Sequence, residues 1–293
     1  MKTDFFECHG HIMLDATSYS QAAALHKNGV DKAFVRRNLE TLASGGVVFF
    51  RDAGDKFGAT IYAKEIAHEY GIEYVTPTFA IHMHGRYGGL VGRSFKTLSD
   101  YENLIASAKS SGADYIKLMM SGIMTFAHTG ELSCPPLSAQ EIKQLVHVTH
   151  GMGLRVMAHV NGSSTIKAAL LAGTDSIEHG YFIDDECIEL LVKAKVIWVP
   201  TLAPVAAFSA SGTDQGKVAA AILENHMASV GKAFSAGAYV ASGSDSGAYG
   251  VPHAAGLITE CELLQRASGI EKPLFDRQLF AANSRVREIF AAQ

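Results

Sequence analysis

Eight short runs rich in β-branched and aromatic residues alternate with longer amphipathic stretches, and this alternation limits the possible folds more than any other feature of the chain. The runs are DFFECH (4–9), GVVFFRD (46–52), EYVTPTFA (73–80), ADYIKLMM (113–120), LRVMAH (154–159), TDSIEH (174–179), VIWVPT (196–201) and AYVASGSD (238–245). Between them lie helical patterns. VDKAFVRRNLETLASGG (30–46) repeats apolar residues at intervals of three and four and stops at a glycine pair. LSAQEIKQLVHVTHGMG (137–153) opens with Ser138 as an N-cap and Glu141 three residues on, the spacing of a capping box. IDDECIELLVKAK (183–195) puts acids early and lysines late, as the helix dipole favours. Strand and helix in alternation predict an α/β protein with a parallel sheet and helices outside. Eight such units predict a closed (β/α)8 TIM barrel. A doubly wound open sheet is the rival architecture, and no GxGxxG follows the first run to support it. With no composition break, linker or low-complexity tract, residues 1–293 read as a single domain.

The charge pattern narrows the partners. Charged residues make up 18% of the chain, the formal net charge is -4, and no block of five like charges occurs. Neither nucleic acid nor a membrane is expected as a partner. No apolar stretch reaches the roughly 18 residues of a membrane span, and MKTDFFECHGH turns polar too soon for a signal region. A cytoplasmic location is the expectation. Cys8, Cys134, Cys187 and Cys261 form no CxxC pair, which suits a reducing compartment.

Polar residues close several of the runs, where a (β/α)8 barrel carries its chemistry. The first run ends at His9 and His11, the fourth carries Lys117, the fifth ends at His159, the sixth at His179 and the eighth at Asp245. Residues i and i+2 of a strand share a face, so His9 and His11 can grip one cation or can be two hydrogen-bonded core histidines. With His159, His179 and Asp245 added, the donors form a nitrogen and oxygen set suited to zinc, iron or manganese. Lys117 permits three readings. A buried lysine beside a dication must be neutral, and a neutral amine can take up carbon dioxide to give an anionic carbamate that bridges two metals. It can instead form a Schiff base, or its ammonium can snorkel to the barrel mouth. Asp245, within ASGSDSG (241–247), is either a site residue or the acceptor of an Asx-turn.

Taken in order, HGH (9–11), RDAG (51–54), ADYIKLMMSG (113–122), MAHVNG (157–162), DSIEHG (175–180), VPTL (199–202) and SGSDSG (242–247) resemble the amidohydrolase superfamily. Within it they are similar to the imidazolonepropionase-related and Xaa-Pro dipeptidase-like branch. The resemblance implies two divalent metal ions, with zinc the expected ion. His9, His11 and Asp245 would bind the more buried metal, His159 and His179 the second, and carboxylated Lys117 would bridge them. It further implies a hydroxide between the metals, with Asp245 as the catalytic proton carrier. The implied reaction is hydrolysis of a C–N amide bond, peptide-like or cyclic, in a small-molecule substrate. A lactone or ester substrate, a Schiff-base lyase using Lys117 and a non-catalytic binding protein are the alternatives. Members of this branch usually add a small β-sandwich. The expectation here is a barrel lacking that accessory domain, with homo-oligomerisation as the way to cover exposed barrel surface.

Two long loops are expected at the barrel mouth, IHMHGRYGGLVGRS (81–94) and SGIMTFAHTGELSCPP (121–136). His84 and Tyr87 are candidates to donate a hydrogen bond to a substrate carbonyl, and Arg86 or Arg93 to hold a carboxylate; solvated loop polarity is the alternative for His84 and Tyr87 and the favoured reading of Arg93. Asn161, two residues past His159, is a further substrate-binding candidate. Arg51 and Asp52 read as a pair that braces the barrel mouth. The pair Met119 and Met120 reads as barrel core. Most other histidines (His26, His68, His128, His147, His150, His226) read as surface residues, and His253 as a residue to locate relative to the site.

Overall fold

The computed structural model describes residues 4–291. Its strands are β1 (Phe5–Gly10), β2 (Val47–Asp52), β3 (Glu73–Val75), β4 (Ala80–Met83), β5 (Gly92–Phe95), β6 (Ile116–Met119), β7 (Val156–Val160), β8 (Ser176–His179), β9 (Ile197–Val199) and β10 (Tyr239–Val240). The α-helices are α1 (Tyr19–His26), α2 (Lys32–Ser44), α3 (Ala59–Ile66), α4 (Leu98–Ser110), α5 (Ala139–Gly151), α6 (Ser163–Leu171), α7 (Asp185–Ala194), α8 (Leu202–Ser209), α9 (Asp214–Ser235), α10 (Ala255–Ser268) and α11 (Lys272–Phe290). All strand pairs are parallel, in the orders β1-β2-β3 and β10-β9-β8-β7-β6-β4-β5. Backbone hydrogen bonds join these arcs into a (β/α)8 barrel. Cys8 N–H donates to Ser242 O at 3.0 Å, His11 N–H to Ser246 O at 2.8 Å and Asp114 N–H to Thr76 O at 2.8 Å.

The third stave differs from the expected single strand over 73–80. Pro77 has no N–H to give to a ladder, and Thr78 follows in the left-handed region with φ 64°. The run therefore breaks into β3, paired with β2, and β4, paired with β6. The expected loop over 81–94 is also partly strand. Residues 92–95 return as β5, which adds to β4 outside the ring of staves.

Local signals explain the helices. Ser138 Oγ accepts from Glu141 N–H at 3.3 Å, and Glu141 returns the bond to Ser138 N–H at 2.7 Å, completing the expected capping box of α5. Asp184 caps α7 by accepting from Cys187 N–H at 2.9 Å, and that helix ends at Lys195 in the left-handed region. The outward sheet face and the helices share one apolar layer, with Ile116, Leu118, Val156, Ala158, Ile177 and Trp198 fully buried in it. The barrel interior is a second layer of Cys8, Phe49, Val75, Met157, Ile197 and Val199, closed by Val286 and Phe290 of α11. This packing leaves only the strand C-terminal ends open for a site. Among the described residues, no helix is long and apolar enough to cross a membrane.

Candidate active site

At those ends the structure brings His9, His11, Lys117, His159, His179 and Asp245 to the floor of one cavity of about 360 Å³. The ring centroids of His9 and His11 lie 5.9 Å apart, those of His9 and His179 4.9 Å, and those of His159 and His179 4.6 Å. Lys117 Nζ is 3.4 Å from His9 Nε2. Asp245 Oδ1 is 3.4 Å from His11 Nε2 and 3.7 Å from His9 Nε2. His9, His11 and Asp245 offer donor atoms within 4.8 Å of one another. Asp245 Oδ1 is buried with no hydrogen-bond partner among the described residues. A buried carboxylate oxygen left this way is costly unless a cation or proton completes it.

Two glycines let the backbone form this floor. A Cβ on Gly10 would lie 2.5 Å from Ser246 Oγ and 2.7 Å from Phe50 Cζ, so only glycine lets β1 pass the 242–246 segment. Gly180 has φ 68°, and a Cβ there would lie 2.6 Å from Trp198 Nε1. His179 (φ 66°) and Asp245 (φ 58°) are also left-handed. Consecutive strand residues normally face opposite sides. The turn at His179 instead lets Glu178 reach His9 while its neighbour still lines the cavity. Such backbone strain persists only where surrounding contacts hold it. Here Trp198 Nε1 donates to His179 O at 2.9 Å and Asp245 N–H to His9 O at 2.8 Å.

Burial sets the protonation states. Desolvation, reinforced by the Lys117 charge, pushes His11 and His159 down to about 3, and His9 and His179 fall in the same direction. The imidazoles are neutral at pH 7, with lone pairs free to bind a metal. Burial also lowers Lys117 to about 8, against the opposing pull of Glu178 and Asp245. Burial raises Asp245 to about 6, with Lys117 pulling the other way.

Behind the floor sits a layer that the sequence did not reveal. Glu178 Oε2 accepts from His9 Nδ1 at 2.6 Å, which leaves Nε2 for the cavity. Arg51 does not pair with Asp52. Its Nη2 donates to both Glu178 oxygens at 2.8 and 2.9 Å, its Nη1 to Ser176 Oγ at 3.0 Å and its Nε to Cys8 O at 2.7 Å. Asp52 instead accepts from Ile12 N–H at 3.1 Å, Gly54 N–H at 2.6 Å and Tyr74 Oη at 2.5 Å. The reason is directional: adjacent strand residues diverge, and Arg51 points into the barrel where Glu178 is the available anion. His179 Nδ1 lies 2.7 Å from Thr201 Oγ1. Removing Arg51 would leave Glu178 as a buried, unpaired charge. Arg51→Met is expected to cost about 3–5 kcal/mol of stability, read as a fall in the urea midpoint with an unchanged slope. A loss below about 1 kcal/mol would show that Glu178 finds another partner.

The substrate-binding candidates divide. Tyr87 lines the cavity with its ring 5.1 Å from that of His159. Asn161 lines it too, accepting from Tyr181 N–H at 3.1 Å and donating to Gly122 O at 3.2 Å. His84 and Arg93 are exposed and outside the lining, and the half-buried Arg86 is outside it too. Met119 is buried in an apolar cluster, as expected of core, and also lines the cavity, whereas Met120 is packed in the outer layer. His26 and His226 are buried, not on the surface, and His226 Nε2 contacts Pro200 O at 3.1 Å behind Trp198. His253 is buried outside the lining, against Leu14 O at 2.9 Å and Ser246 Oγ at 3.2 Å.

Comparison with known proteins adds a family and a fold. The family described as "Amidohydrolase family" matches residues 5–277. Ochratoxinase of Aspergillus niger is 30% identical over 141 residues, covering 46% of this chain and 29% of the fungal protein. The chain thus matches less than a third of that relative's length. A solved Xaa-Pro dipeptidase with bound methionine in its active site superposes with a TM-score of 0.76 at 19% identity, covering 97% of this chain and 75% of the other. The A. niger ochratoxinase structure gives 0.75 at 23% identity, covering 93% and 68%. At these identities the structural likeness speaks for the fold alone.

Proposed function

This chain belongs to the amidohydrolase family, and on that premise we propose that it is a metal-dependent hydrolase that cleaves a C–N amide bond, peptide-like or cyclic, in a small molecule. The observation that carries the reading is the unpartnered Asp245 Oδ1 facing His9 and His11, with Lys117, His159 and His179 on the same floor. These residues fit divalent ions: the imidazoles are neutral, the carboxylate lacks a partner and the lysine is driven towards its free amine. His9, His11 and Asp245 would hold one ion, His159 and His179 a second, and carboxylated Lys117 would bridge them. Zinc is the proposed ion. Bound divalent ions would supply Lewis-acid polarisation of the scissile carbonyl and acidify a water.

The remaining work falls to the chain. Asp245 would accept a proton from the attacking water and return it to the leaving nitrogen. Tyr87 and Asn161, both in the lining, would orient the carbonyl; the exposed His84 is less well placed for this role. Glu178 would keep His9 in the tautomer that presents Nε2. The same arrangement would serve an ester or lactone.

The test is elemental analysis of protein purified without chelator or nickel resin. About two equivalents of transition metal per chain are expected, with activity on an amide panel lost on chelation and restored by metal plus bicarbonate. About one equivalent would point to a mononuclear site with Lys117 unmodified. No metal, even after reconstitution, would sink the reading.

A further inference from the structure

The cavity walls speak to substrate chemistry. Apart from the imidazoles and tyrosines, Lys117 and Asp245 are the only titratable lining residues among those described, and both sit in the floor. One wall carries Tyr19, Leu90 and Val91, of which Tyr19 and Val91 belong to the apolar cluster beside α2 and α3. The other carries Met124, Val205 and the stacked rings of Phe126 and Phe208, 4.2 Å between centroids and 15° between planes, and belongs to a separate cluster. Two of the lining tyrosine hydroxyls are already engaged: Tyr19 Oη donates to Leu90 O, and Tyr181 Oη to Thr201 O at 2.7 Å; Tyr87 and Tyr249 add hydroxyls but no cation.

The nearby cations are held elsewhere. Lys56 Nζ donates to Gly89 O at 2.6 Å, Arg86 Nη1 donates to Pro135 O at 3.0 Å, and Arg93 lies 4.0 Å above the Phe79 ring. None of the three lines the cavity. A substrate carboxylate directed into either wall would lose its hydration and gain no cation. We propose that the substrate is an amide whose groups on both sides of the scissile bond are uncharged and apolar, in contrast to a dipeptide with a free carboxylate. This inference rests on the hydrolase reading above. The apolar groups lie against the two walls, and the amide lies over the floor, where the donors are.

The test uses metal-loaded protein and a matched pair of probes, N-phenylacetyl anilide and the same anilide with a para carboxylate. Release of aniline or aminobenzoate is followed by chromatography. The uncharged probe is expected to have a kcat/KM at least about 30-fold higher, the scale of a modest uncompensated desolvation. Equal turnover, or preference for the carboxylate, overturns the inference and leaves the hydrolase reading intact. Cleavage of neither probe counts against the hydrolase reading, and calorimetric binding of the same pair then decides the inference. Tighter binding of the uncharged probe upholds it. Equal affinity, reversed order or no binding of either overturns it.

Discussion

Asp245→Asn is expected to lower kcat/KM by about 10³–10⁴-fold while most of the metal stays bound. The substitution keeps the shape of the side chain and one oxygen donor, but the amide cannot take up a proton. Asparagine also tolerates the left-handed backbone at this position, where φ is 58°, so the loop need not move. The hydrogen bond from Asp245 N–H to His9 O, 2.8 Å, does not involve the side chain and survives the change. Burial raises the Asp245 carboxyl to about 6, close to the pH at which a proton carrier works well. Kinetics and metal content should be measured on the same preparation. Full activity would end the proton-carrier assignment. Activity and metal lost together would make Asp245 chiefly a ligand.

Much of the site was legible because a barrel places strand ends together whatever the intervening sequence. Given eight strand–helix units, a polar residue at the end of an apolar run has one place to go, and His9, His11, His159, His179 and Asp245 line the cavity there, joined by Lys117 from within β6. What stayed hidden depended on direction and distance. Arg51 and Glu178 are separated by 127 positions, and no periodicity links them. Reading Arg51 with its sequence neighbour Asp52 ignored the alternation that points the two apart. Glu178 was in view inside DSIEHG, but strand alternation would have sent it and His179 to opposite faces. The left-handed turn at His179 cancels that rule. Pro77 marks the break of the third stave in the sequence, but the pairing of β3 with β2 and of β4 with β6 is a long-range feature that a proline does not encode. In the following segment, Tyr87 enters the cavity and His84, three residues earlier, does not. Composition offered no way to separate them.

Lys117→Ala tests the other half of the proposed site. Lys117 is 2% exposed on β6, and its Nζ lies 3.4 Å from His9 Nε2. An ammonium at that distance would repel any ion the imidazole bound. The residue suits a metal site only after its charge is removed or inverted. Burial takes it part of the way, to about 8, so a free-amine fraction exists at neutral pH. That amine can add carbon dioxide and release a proton, which gives an anionic carbamate in place of a cation. Removing the side chain is therefore expected to lower bound metal from about two equivalents to about one or fewer. Millimolar short carboxylic acids should restore part of both metal content and turnover, since a free carboxylate can occupy the vacated space. Lys117→Arg should not be rescued, because a guanidinium stays charged and fills that space. Unchanged metal content in the alanine variant would rule out the bridge. An adduct on Lys117 after borohydride treatment with a carbonyl compound would assign the lysine to Schiff-base chemistry, which needs no metal at His9 and leaves the unpartnered Asp245 oxygen without a purpose.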